Sequence, residues 1–276
     1  MTTPATSTIH AWLRDTADTL ADAMIPSARL DAELILAHTL RRPRTWLHAH
    51  SDEQLSERTL EALDARLTMR LERTPIAYIT GQKEFYGRSF AVSPTVLIPR
   101  PESEDLITLL VEWRKSHLSA ELLIDVGCGS GCLGITAKLE APGLDVTLCD
   151  IDEHVLTVAR ENSQELQAKV TFLRSDLLED YPLEADIIIA NLPYVDRSWE
   201  VSPETAHEPE LALFAESDGL ELIYQLIDQA TDKLNSKGAL LLESDLRQHD
   251  VIAAYAIKSD FTLVKSLGLI QLFQKN

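Results

Sequence analysis

The chain has 276 residues, 45% hydrophobic and 25% charged, the balance of an ordinary folded protein and not of a disordered or fibrous one. Asp and Glu outnumber Lys and Arg 44 to 25, and the formal charge of −19 repels phosphate backbones at long range, which argues against stable nucleic-acid binding. No apolar run is long enough to cross a bilayer, Met1-Thr-Thr-Pro-Ala-Thr6 has no basic or apolar leader, and Cys128, Cys132 and Cys149 lack the paired spacing of a zinc or disulfide framework. The expectation is a cytoplasmic protein with free thiols, no metal and no membrane contact.

Apolar residues first recur at helical spacing. Ile9, Trp12, Leu13 and Leu20 fall on one face, Leu30, Leu34 and Ala37 form a second stripe, and Leu60, Leu63, Leu67 and Leu71 a third. Ser51 followed by Gln54 reads as a capping box before the third helix, and Pro26 and Pro43 supply the breaks. Residues 1–74 are therefore expected to form a small all-helical domain, either a substrate-docking module or a cap that stabilises its neighbour. The connector, residues 75–101, changes character. Phe85, Phe90 and Val92 flank a Tyr86-Gly87-Arg88 turn, the pattern of a β-hairpin. In Val96-Leu-Ile-Pro-Arg-Pro-Glu102, two prolines force extended geometry around Arg100. That stretch is either a rigid linker or the lining of a pocket. A helix from Ser103 to Trp113 then opens the third region, residues 102–276.

This region alternates strands and helices, the signature of a doubly wound, mostly parallel α/β sheet. Leu122–Val126 runs straight into Gly127-Cys128-Gly129-Ser130-Gly131 and a helix. The glycines permit close backbone approach, and the helix start offers unpaired N–H groups. The dinucleotide fingerprint requires glycine at position 132, where this chain has cysteine, and no phosphate-loop lysine follows. A ligand without a pyrophosphate is the expectation. The second strand ends in Asp150, a carboxylate placed to accept both hydroxyl protons of a ribose. The third ends in Ser175-Asp176-Leu177, able to meet an adenine edge and face. The fourth, Ile187–Ala190, delivers Asn191-Leu192-Pro193-Tyr194 to the ligand crevice outside the strand ends. A helix from Gly219 to Leu234, a strand from Ala239 to Glu243, a further helix and an antiparallel pair around Gly268 complete the chain.

With these motifs assembled, the chain resembles, nearly end to end, the N5-glutamine methyltransferases that modify class-1 peptide chain release factors. The resemblance rests on Tyr78-Ile-x-Gly81, Leu97-Ile-Pro-Arg-Pro-Glu-Ser-Glu104, Asp125-Val-Gly-Cys-Gly-Ser-Gly131, Asn191-Leu-Pro-Tyr194 and Glu208-Pro-Glu-Leu-Ala-Leu-Phe214. It implies a seven-stranded class I methyltransferase sheet with an antiparallel C-terminal edge. It implies S-adenosylmethionine held by Gly127, Cys128, Gly129, Ser130, Gly131, Asp150, Asp176, Leu177 and Asn191. It also implies a target glutamine, in a Gly-Gly-Gln loop, gripped by Asn191, Leu192, Pro193 and Tyr194 with Arg100 and Glu102 nearby. The family usually carries Asn-Pro-Pro-Tyr and a threonine where this chain has Leu192 and Ser103, and residues after Glu243 also depart from its pattern.

An amide nitrogen is a poor nucleophile because its lone pair is delocalised, so such a site must align it and accept its N–H bonds. The Asn191 oxygen and the carbonyl of residue 192 suit that task, and leucine supplies a carbonyl as well as proline does. Alignment of this kind is worth about 7–11 kcal/mol. Asn-Leu-Pro-Tyr also occurs in adenine-N6 methyltransferases of nucleic acid, and a non-catalytic S-adenosylmethionine-binding protein would retain the same glycine loop. The residues leave these two alternatives open.

Overall fold

The computed structural model describes residues 7–276, and the reading of Met1–Thr6 as free of a leader lies outside the described residues. The chain divides into two compact units. Residues up to Gln82 join Ser202–His207 in the first, and Lys83–Val201 join Glu208–Asn276 in the second.

The first unit comprises α1 (Ile9–Asp22), α2 (Ala28–Leu40), α3 (Arg44–Ala49), α4 (Glu57–Leu71) and α5 (Ile76–Thr80). Thr8 starts α1 by accepting the Ala11 N–H at 3.1 Å. The α1 face read from the sequence is buried: Ile9, Trp12, Leu13 and Leu20. The α2 stripe is rotated from expectation. Ala37 is buried as expected, but Leu30 is exposed, and α2 packs mainly through Ala28, Ala32, Ile35 and Leu36. The small alanines let neighbouring helices approach closely, and a buried ion pair sets the orientation: Arg70 Nε donates to Asp31 Oδ2 at 2.7 Å. The Ser51 capping box is also corrected. Gln54 forms an antiparallel bridge with Thr8. Ile9 N–H donates to Glu53 O at 3.0 Å and Leu55 N–H to Ser7 O at 2.8 Å, so residues 53–55 are extended. The cap of α4 is Ser56, which accepts the Thr59 N–H at 3.2 Å. Segment 202–207 is held by Arg70 on Glu204 at 3.1 Å, and a His207 ring nitrogen lies 2.9 Å from Glu72 O.

The second unit begins in the hairpin β1 (Gln82–Phe85) and β2 (Arg88–Ala91). Its turn is two residues, Tyr86 and Gly87, both at positive φ, and Arg88 belongs to the strand. There follow α6 (Glu104–Arg114), β3 (Leu122–Val126), α7 (Cys132–Glu140), β4 (Asp145–Asp150), α8 (Glu153–Glu165), β5 (Thr171–Arg174) and β6 (Ala185–Ala190). The chain ends with α9 (Glu221–Lys233), β7 (Leu234–Glu243), α10 (His249–Lys258), β8 (Phe261–Leu267) and β9 (Ile270–Lys275). Seven strands form the main sheet in the order β5-β4-β3-β6-β7-β9-β8. β9 alone runs against its neighbours, β7 and β8. β7 starts five residues earlier than the sequence pattern suggests, because the register with β6 shifts between Ala185 and Ile187.

Alternate strand residues feed two cores. Leu123, Leu148, Ile187, Ile189 and Leu241 pack with α6, α7 and α8. Ile124, Val126, Ile188, Leu240 and Leu242 pack with α9 and α10 on the other face. A sheet covered on both faces leaves its strand ends as the place for a ligand.

Candidate active site

Strand register builds the site. Val126 lies opposite Cys149 on β4 and opposite Ala190 on β6, and Ala190 lies opposite Leu242 on β7. The next residue of each strand therefore forms one row across the sheet: Asp150, Gly127, Asn191 and Glu243. The strand order reverses at β3, so the row lies at the topological switch point.

On one side of that row the glycine loop is tied down by backbone. Cys128 N–H donates to Cys149 O at 2.9 Å and Gly131 N–H to Cys128 O at 2.8 Å. Asp150 accepts from Gly129 N–H at 3.2 Å through one oxygen and from Asp152 N–H at 3.1 Å through the other. Burial holds the Asp150 carboxyl above its usual range despite these bonds. Asn162 on α8 donates to Ser130 O at 2.9 Å and accepts the Ala91 N–H at 2.6 Å, which joins the loop to the hairpin. Beneath the loop, Asp125 Oδ2 accepts the Gly134 N–H in the first turn of α7 at 2.8 Å. Burial pushes the Asp125 carboxyl up to about 7, and the charge of Asp150 adds to the effect.

On the other side, side chains dominate. Asn191 Nδ2 donates to Ser103 Oγ at 3.2 Å, and the Tyr194 hydroxyl donates to Glu243 Oε1 at 3.3 Å. Glu243 is 1% exposed. Its Oε2 has no hydrogen-bond partner among the described residues. Burial pushes the Glu243 carboxyl up to about 7, against the opposing pull of hydrogens from Ser103, Tyr194 and Asn191. The Tyr194 carbonyl accepts from Gln248 Nε2 at 2.9 Å, which sets the course of the chain after Pro193. Leu192 is buried, and its Cδ2 sits 2.9 Å from where a Cβ on Gly127 would lie. The leucine side chain thus packs the β6 end against the glycine loop.

The remaining residues singled out from the sequence fall around this row. Arg100 lies in the loop before Pro101, where its Nη2 donates to the buried Glu208 at 2.6 Å. Glu208 also accepts the Ile98 N–H at 3.2 Å, so the Pro-Arg-Pro loop is braced by a residue more than a hundred positions away. Glu102 is exposed, and its charge acts on Glu243. Asp176 is exposed, whereas Leu177 is buried at φ 47° and its carbonyl accepts the Cys149 thiol at 3.2 Å. Cys128 is buried, and burial holds its thiol well above the ordinary range. The sequence reading missed Glu243, Glu208 and Asn162. Glu243 had a usable signal, an acidic residue ending an apolar strand, the same feature that picked out Asp150.

A seven-stranded doubly wound sheet with a glycine loop after β3 and a carboxylate after β4 defines a class I methyltransferase fold. A methyltransferase from Pyrococcus furiosus shares it, with a TM-score of 0.51 at 19% identity over 76% of this chain and 96% of that one. Residues 11–81 match the PrmC N-terminal domain and residues 106–209 the methyltransferase small domain. The release factor glutamine methyltransferase of Leptospira interrogans is 36% identical over 84% of this chain and 83% of its own length. That of Koribacter versatilis is 38% identical over 81% of each. The chain belongs to the family of release factor glutamine methyltransferases.

Among the described residues no helix is long and apolar enough to cross a membrane. Among them, too, no group of His, Cys, Asp or Glu side chains is arranged to hold a metal ion.

Proposed function

We propose that the protein transfers the methyl group of S-adenosylmethionine to the side-chain amide nitrogen of the glutamine in the Gly-Gly-Gln loop of a class-1 peptide chain release factor, in the cytoplasm. The observation that carries this reading is the row of strand ends. A carboxylate suited to a ribose and an asparagine suited to a carboxamide stand on either side of Gly127.

The residues fit the donor. Its own chain neighbours aside, no atom of the described residues lies within 4 Å of where a Cβ on Gly129 would sit, so a ligand can approach that backbone directly. Ser130 Oγ is buried without a hydrogen-bond partner among the described residues, and each Asp150 oxygen keeps a lone pair beyond its backbone bond. Gly127 to Gly131 would cradle the methionine end, and Asp150 would accept the ribose hydroxyls. The Asp176-Leu177 turn would lie along the adenine. When bound, S-adenosylmethionine supplies a methyl carbon made electrophilic by its positively charged sulfur.

The chain's own residues then act on the acceptor. Asn191 donates inward to Ser103, so its oxygen is turned away from that bond and can accept an amide N–H. The carbonyl of Leu192 accepts the second. Bound this way, the amide nitrogen loses conjugation with its carbonyl and directs its lone pair to the methyl carbon. The nitrogen–carbon bond would form as the carbon–sulfur bond breaks, with the electron pair leaving on sulfur as a neutral thioether and one N–H proton of the alkylated amide passing to solvent. Tyr194 closes over the side chain, with its hydroxyl held by Glu243. Glycines flanking the glutamine let it enter a narrow crevice without steric conflict. Arg100, braced by Glu208, and Glu102 edge the entrance, and the helical unit adds docking surface for the folded substrate. The acidic balance disfavours nucleic acid as the acceptor.

The test is incubation of a purified release factor with labelled methyl donor, followed by mass spectrometry. One added methyl on the Gly-Gly-Gln glutamine is expected, with a short peptide of the same loop reacting poorly. Label found in ribosomal RNA, with the release factor unmodified at high enzyme concentration, would replace this reading with the adenine one.

A further inference from the structure

The buried carboxylate of Glu243 has no part in the mechanism above beyond holding Tyr194, yet it stands in the row of strand ends beside Asn191. Tyr194 hydroxyl points into it at 3.3 Å, and its second oxygen is unpartnered among the described residues. On the opposite side, Asn191 Nδ2 donates to Ser103 Oγ at 3.2 Å. A serine oxygen that accepts from an amide must send its own hydrogen elsewhere, and the unpartnered Oε2 of Glu243, a carboxylate on which Ser103 acts, can receive it.

We infer that ionised Glu243 is the positioning residue of this site: it draws the hydrogens of Ser103 and Tyr194 toward itself, and so holds Asn191 with its nitrogen inward and its oxygen toward the substrate amide. The inference rests on the glutamine-transfer reading. An asparagine amide can rotate by half a turn with almost no change in shape, so the hydrogen-bond network alone decides which atom faces the crevice. With Glu243 protonated, the carboxyl becomes a donor. Ser103 then accepts from it and donates to Asn191, which turns its N–H groups outward. An outward N–H group repels the N–H bonds that the site must accept.

The charges around Glu243 decide where that change falls. Glu102 faces it from the turn before α6, Tyr194 from the loop after β6, and Cys132 from the start of α7. Arg100 and Asp245 act on the Tyr194 hydroxyl from beyond. Because burial holds the Glu243 carboxyl at about 7, protonation switches the network off as pH falls through neutrality. Turnover should therefore rise with pH across that range. Asp125 is held in the same range, so the assignment needs a variant and cannot rest on the profile alone.

The test compares kcat and KM for wild type, Glu243→Gln and Ser103→Ala on an intact release factor, from about pH 5.5 to about pH 8.5. Glu243→Gln keeps the shape, removes the charge and the titration, and replaces one acceptor oxygen by an NH2 donor. It should lower kcat at high pH by roughly tenfold or more, change KM for the release factor by less than about twofold, and remove the rise near neutrality. Ser103→Ala removes the relay through the serine but leaves the direct action of Glu243 on Asn191, and should reproduce part of the loss in kcat without touching the buried charge. Infrared difference spectra should show two carboxyl bands that titrate near neutrality in wild type, of which one is missing in Glu243→Gln and the Asp125 band remains. If wild type methylates the glutamine while both variants keep its kcat and its pH profile, the inference falls alone. If wild type leaves the glutamine unmodified, the transfer reading and this inference fall together.

Discussion

The two halves of the crevice reach similar chemistry by different construction. The half around Gly127 and Asp150 is a backbone structure. Its carboxylate is clamped by two main-chain N–H groups, and its loop bonds to the adjoining β4 end at Cys149. The half around Asn191 and Glu243 is a side-chain structure. Its groups come from Ser103, Tyr194, Glu243 and Glu208, brought together over sequence separations of 49 to 110 residues. Backbone clamps tolerate exchange of side chains and suit a ligand common to many enzymes. A side-chain network is set by every member, which suits discrimination of one acceptor from another.

That contrast can be broken most decisively at Asn191. Asn191→Ala removes an acceptor used as the amide nitrogen rehybridises, so kcat should fall by about 10²–10³-fold, as when one preorganised partner of a developing charge is lost. Calorimetric affinity for S-adenosylmethionine, to which Asn191 is one contact among several, should fall far less than kcat. Equal losses of both would mean that the halves are not separable. Asp150→Ala makes the complementary cut. The donor should bind about tenfold to a hundredfold more weakly, the scale of lost hydrogen bonds to a charged group, with kcat at saturation nearly intact.

Gly127→Ala probes the seam between the halves. A methyl there would meet Leu192 Cδ2 at 2.9 Å on a backbone at φ 69°, so thermal unfolding should report a loss of about 1–3 kcal/mol. Leu192→Ala combined with it should restore part of that loss, and strict additivity would deny the contact.

A smaller effect concerns pH. Asp125 and Glu243 are both raised to about 7 in the folded protein, from ordinary values near 4. The native state thus holds protons that the unfolded chain releases, and their contribution to stability declines as pH rises from about 4 through about 7. Asp125→Asn should therefore gain stability relative to wild type at the alkaline end of that window and lose the advantage at the acid end. A difference in melting temperature that does not vary with pH would refute the assignment. The smallest expected change is Ser56→Ala, which removes the α4 cap and should cost about 1 kcal/mol in the helical unit alone.

The contrast between the halves also governs what could be read in advance. The glycine loop, Asp150 and the apolar strands were legible because each depends on neighbours a few residues away: β-branched runs, glycines before a helix, an acid closing a strand. The Ser51 capping box misled for the opposite reason. Ser51 and Gln54 have suitable spacing, but the strand-like pairing of residues 53–55 with Ser7–Ile9 claims that backbone and moves the cap to Ser56. Leu30 misled likewise, since the Asp31–Arg70 pair and two alanines, not the bulk of leucine, turn α2.

Local periodicity and turn residues point to a helical first region, an alternating α/β second region, and strands that end in Asp150 and Asn191. Folding in three dimensions is what sets Glu243 next to Asn191, Ser103 under the Asn191 amide, and Leu192 against the loop at Gly127. The physical reason is register. β3, β4, β6 and β7 are far apart in the chain, and which of their ends fall in one row depends on main-chain pairing between strands, which no local pattern records.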